Sequence, residues 1–216
     1  MDMSRTAALS RGARLEVLTI AWMAVEAAVA LGAGFAARSV LLTAFGADSV
    51  IELLSGLVLY RRLVAEPGAG GKAVERMEAG ATRISAVLLV LLCLYVALSS
   101  VAGLVLRIAP SPSITGIAVC AVAVIAMPLL ARAKGRVNRT LDSPSLRADI
   151  AETLSCAYLA ATTLAGLIAA TVTGWWWIQY VAALALLIWL IPETREALEE
   201  RRHNGASQGD KGRNDE

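Results

Sequence analysis

A single histidine, His203, stands in the whole chain, and it lies among polar residues near the C-terminus. Chemistry that needs a histidine inside an apolar segment is therefore excluded, and with it the commonest metal ligand. The three cysteines, Cys93, Cys120 and Cys156, all fall inside apolar segments, which excludes a secreted disulfide framework. Charged residues make up only 18% of the chain, whereas 57% is hydrophobic. A soluble domain would carry about 25% charge. A net charge of +2 gives no footing for nucleic acid, and no nucleic-acid partner is expected.

What charge there is lies in short clusters between apolar blocks, and the mean hydropathy is +0.62. Those blocks reach the ~20 residues a helix needs to cross ~30 Å of hydrocarbon. Six spans can be drawn: Leu15 to Phe35, Ser39 to Tyr60, Ile84 to Leu106, Ile114 to Ala131, Ala148 to Thr171, and Trp175 to Ile191. The expected fold is an all-α membrane protein, a six-transmembrane-helix bundle over residues 15–200. Residues 1–14 read as a tail, and 201–216 as a disordered polar tail too short for a folded domain. The segment "VAEPGAGGKAVERMEAGATR" reads as a flexible Pro/Gly connector running into an amphipathic stretch. The first apolar stretch is longer than the apolar core of a cleaved signal peptide, so none is expected.

Basic residues orient the spans. All but two of the 20 lysines and arginines, Arg38 and Arg107, fall on one side. The positive-inside rule puts that side, with both termini, in the cytoplasm. Trp175, Trp176 and Trp177 then suit an interfacial belt on the opposite face. An integral protein of the plasma (inner) membrane is the expected setting.

Ionisable residues within a span face the bundle interior and mark a site or a pathway. Four acids stand out: Glu26 in the first span, Asp48 and Glu52 in the second, and Glu152 in the fifth. Asp149 reads as a helix-start acid that interacts with the dipole, a structural role. At 1.5 Å per residue, Asp48 lies roughly 14 Å and Glu52 roughly 20 Å below the outer face. Glu152 and Cys156 lie roughly 22 Å and 16 Å below it. Glu26 falls near the level of Asp48. Asp48 and Glu52 share a helix face, as do Glu152 and Cys156, because each pair is spaced i, i+4. Two antiparallel helices thus offer three carboxylates and a thiol to one point near mid-membrane.

With no lysine or arginine inside the drawn spans, that charge must be neutralised by protons or by a bound cation. A transporter exchanging a divalent metal for protons would use both states in turn. Oxygen and sulfur ligands suit Zn²⁺ or a softer ion better than Mg²⁺ or Ca²⁺. Cys93 and Cys120 read as small hydrophobes. Glu26 is a second-shell partner, a proton carrier, or an acid hydrogen-bonded across helices to Ser or Thr. Ala157, Ala161, Ala165 and Ala169 form a small-residue ridge that lets helices approach.

"GADSVIELLSG" on the second span and "LRADIAETLSCAY" on the fifth resemble the signature helices of cation diffusion facilitator (cation efflux) transporters. The resemblance implies an N-in, C-in bundle, usually a homodimer, that exchanges Zn²⁺ or a related divalent ion for protons. It places the metal on Asp48, Glu52, Glu152 and Cys156. The usual residues there are Asp or His and Asp on the second helix, and His or Asp and Asp on the fifth. This chain has Glu for Asp at Glu52, Glu for His at Glu152, and Cys for Asp at Cys156. The expected form has the transmembrane domain only, without the cytoplasmic ferredoxin-like domain of many members. No permanently bound cofactor is expected, and no enzymatic activity; metal and protons are substrates, and the bilayer and a second copy are the partners. A non-transporting membrane metal sensor is the alternative. An intramembrane hydrolase would have to work with carboxylates alone.

Overall fold

The computed structural model describes residues 3–65 and 71–214, and these are 90% helical with no strands. The helices are α1 (Met3–Ala37), α2 (Val40–Ala65), α3 (Gly71–Val105), α4 (Ile114–Leu141), α5 (Pro144–Thr173) and α6 (Ile178–Asn214). All six are long and apolar enough to cross a membrane. Their surface has the polarity of a membrane protein. Large apolar side chains such as Leu98, Ile125 and Ile188 face outward. Glu16, Glu26, Asp48, Ser49, Glu52, Lys134 and Thr163 are buried inside. Water would favour the reverse arrangement; hydrocarbon favours this one.

The helices run past the drawn spans, chiefly at one end of the bundle. α4 continues beyond Ala131 to Leu141, through Pro128, and α6 continues beyond Ile191 through Pro192. Hydropathy falls where basic residues begin, but the backbone hydrogen bonds of a helix do not stop there. The Pro/Gly-rich part of the expected connector, residues 66–70, lies outside the described residues, and its amphipathic part is helical from Gly71. The tail expected to be disordered is helical as far as Asn214. "EALEERRH" supplies strong helix formers, with Glu199 and Arg202 at favourable i, i+3 spacing.

Helix ends are set locally. Ser113 caps α4 through the Gly116 amide, and Ser143 caps α5 with Pro144 at its first position. Gly174 ends α5 at a φ of 70°, in the left-handed region that favours glycine. The turn that follows stacks Trp175 on Trp177 with ring centroids 5.5 Å apart.

α2 is the central helix. It packs against α1, α3, α5 and α6, and 61% of its span is buried, whereas α3 reaches only 28%. α1 lies flush on it because of Gly46: a Cβ there would stand 2.8 Å from the Leu31 backbone nitrogen. The chain termini share one end of the bundle with Glu16, Lys134 and Asp149. At the far end, Ser39 donates to Gln179 at 2.6 Å and Tyr180 donates to the Ile108 carbonyl at 2.8 Å. The alanine ridge is not the closest approach on α5. A Cβ on Gly166 would stand 2.6 Å from that of Ala182, whereas Ala161, Ala165 and Ala169 line a cavity of about 520 Å³ between α5 and α6.

Candidate functional site

The segment "FGADSVIELLSG" begins and ends on contacts with α1. Gly46 meets Leu31, and Gly56 meets the Glu16 carboxyl, whose Oε1 is 2.9 Å from where a Cβ on Gly56 would stand. Between these contacts, Asp48 and Glu52 turn into the bundle. Both are almost fully buried, at 2% and 3% exposure. None of their four carboxyl oxygens has a hydrogen-bond partner. Leaving buried polar atoms unpaired costs about 1–3 kcal/mol each, and more for charged groups. Such a cost marks a site where something else belongs.

Their neighbours come from other helices. Glu52 lies beside the Asp48 carboxyl and the buried Cys156 thiol of α5. The thiol also reaches Glu26 Oε1 of α1, with an S–O distance of 3.6 Å. Glu26 is itself well held: Trp22 Nε1 donates to it at 2.6 Å and Ser49 Oγ at 2.8 Å. Glu26, Asp48, Glu52 and Cys156 thus form one tier. Glu152 sits nearer the end that carries the termini, half-buried and turned toward Ser55 of α2. Among the described residues, no three His, Cys, Asp or Glu side chains already stand where they could together hold a metal ion.

Three polar residues that the sequence reading passed over complete the picture. Glu193 of α6 has a buried Oε2 with no partner and acts electrostatically on Asp48, Glu52 and Glu152. It was missed because span six was closed at Ile191, before Pro192. Lys134 of α4 is the one buried lysine or arginine among the described residues. Its ammonium lies 2.6 Å from Asp149 Oδ2 of α5 and 3.0 Å from Glu16 Oε2 of α1. The interior is therefore not free of basic charge as expected, and Asp149 is an ion-pair partner rather than only a helix-start acid. Lys134 was assigned to a connector because α4 was cut at Ala131. Glu16 lay just inside the first drawn span, and its signal was its fall on a segment otherwise apolar for several turns.

The cluster is anionic, buried and short of hydrogen-bond donors. Chemically it can bind a cation, exchange it for protons, or both. In comparisons with known proteins, no family model matches the chain and no curated protein matches it.

Proposed function

We propose that the chain is a proton-coupled antiporter of a divalent transition-metal cation, of the cation diffusion facilitator type, with Zn²⁺ or a related ion as substrate. Asp48, Glu52, Glu152 and Cys156 are its ligands, and Glu26 supports the thiol and carries a coupling proton. One observation carries this reading: four unpartnered carboxyl oxygens buried at mid-bundle on α2. A cation satisfies those oxygens when the site is loaded, and protons neutralise them when it is empty. The mixed oxygen and sulfur set suits a borderline ion. Glu152 faces Ser55 in this conformation, so the ligand set is assembled on binding, by rotation of Glu152 toward Glu52. An assembled and a disassembled state are what alternating access requires.

The end that carries the termini and nearly all the basic residues faces the cytoplasm, and the ion leaves from the far end. In this reading the protein works in the plasma (inner) membrane as a homodimer. The test is flux in proteoliposomes loaded with a metal-sensitive dye. A pH gradient drives Zn²⁺ uptake with the wild-type protein, and Glu52→Ala abolishes it. Unchanged flux in that variant refutes the site. Tight binding with no flux in the wild-type protein favours the sensor instead.

A further inference from the structure

The face of Asp48 is not filled by α5 alone. Of the charged groups that act on this carboxyl, Glu193 of α6 acts most strongly, ahead of Glu152 of α5 and Glu26 of α1. α6 is fixed in register there by its next residue. Thr194 Oγ1 donates to the Leu190 carbonyl at 2.6 Å and meets Cys93 Sγ of α3 at 3.4 Å. That contact holds Thr194 against α3 and leaves Glu193, about 100° further round the helix, toward α2 and α5. Its Oε2 is buried there without a partner. The two carboxyls it faces, Asp48 and Glu52, are also buried and unpartnered. Pro192 lies one residue earlier and cannot donate to the Ile188 carbonyl, so α6 has a natural point of bending beside the acid.

We propose that Glu193 is a further cation ligand, which brings a carboxylate from α6 to the cation held by Asp48 and Glu52 of α2. The inference rests on the reading of the α2–α5 acids as a divalent-cation site. It extends that site to a third helix. A cation shared by α2, α5 and α6 draws α6 inward as it binds, and its release lets α6 swing back about Pro192. Site occupancy then sets the position of α6. The class of ligand is the same, a divalent transition metal, but with one more oxygen donor than the α2–α5 set supplies.

Zn²⁺ and Co²⁺ titrations of the purified full chain in nanodiscs test this, with affinity read by calorimetry and coordination by the visible spectrum of Co²⁺. Glu193→Gln is expected to weaken Zn²⁺ binding at least about ten-fold and to change the Co²⁺ spectrum. Glu196→Gln, one turn away on an exposed position, should leave both unchanged. Wild-type affinity and spectrum in Glu193→Gln, with binding lost in Asp48→Asn, would overturn the α6 ligand alone. No binding by the wild-type chain would overturn the proposed function and this inference with it. Should Glu193→Gln fail to fold, Glu193→Asp keeps the charge and shortens the reach. Its affinity should fall by a smaller factor, and wild-type affinity there also counts against the proposal.

Discussion

Asp48 and Glu52 are buried without partners, whereas Glu26, at the same depth, is hydrogen-bonded by Trp22 and Ser49 and touched by the Cys156 thiol. That contrast assigns their roles: the satisfied acid positions, and the unsatisfied acids bind. Much of it was legible in the sequence. The i, i+4 spacing of Asp48 with Glu52 fixes a helix face, and the rise per residue places Ser49, Glu26 and Cys156 at one level. The rotation of Glu152 toward Ser55 was not legible, because side-chain rotamers depend on packing from several helices at once. Cys156→Ser replaces a soft donor with a hard one. Competition titrations should show Zn²⁺ preference falling relative to Mn²⁺, by about ten-fold or more. Lys134 makes a second prediction at this scale. Removing one partner of a buried ion pair costs about 3–5 kcal/mol. Lys134→Met leaves Glu16 and Asp149 facing each other without a cation. Denaturant unfolding in detergent should show a loss of that order, and Glu16→Gln, which spares the 2.6 Å pair with Asp149, should show a smaller one.

The helices themselves were legible as apolar blocks, but their ends at the terminal face were not. A hydropathy window closes where charge begins, at Arg132 in α4 and after Ile191 in α6, whereas both helices run on. Lys134 and Glu193 were lost in that margin. Each is tolerated within a helix because it meets a polar surface on a neighbour, a matter of tertiary packing that one sequence does not display. Close packing between elements was only partly visible. The alanine ridge of α5 pointed to small residues, yet the tightest contacts lie at Gly166 and, between α1 and α2, at Gly46. Gly46→Ala places a methyl 2.8 Å from a backbone nitrogen, which no rotamer can relieve. α1 and α2 must part, at a cost of about 1–3 kcal/mol. The melting temperature should fall accordingly, and because α1 carries Glu26, Zn²⁺ affinity should fall with it.

At the scale of the whole molecule, an apolar exterior encloses an acidic interior in two tiers. The inner tier is Asp48, Glu52, Glu26 and Cys156, with Glu152 and Glu193 on its terminal side. Below it, Lys134 ties α1, α4 and α5 together. Six crossings were legible from block length alone, and a common side for the termini follows from their even number. The arrangement of five helices about α2 was not, since hydropathy says how often a chain crosses and not which helices touch. The charge asymmetry makes its own prediction. Reporter fusions at either terminus should be active only in forms that work in the cytoplasm; activity of an external reporter at both would reverse the transport direction proposed here.

The central claim is that the unpartnered carboxyls of Asp48 and Glu52 hold the cargo in exchange for protons. Adding Zn²⁺ to the purified protein in weak buffer, with bound metal and released protons counted together, tests it most directly, because ligation displaces protons from thiols and carboxyls. The account predicts saturable binding with proton release in the wild-type protein, and neither in an Asp48→Asn, Glu52→Gln double variant that keeps its fold. Equal binding and release in both proteins would contradict it.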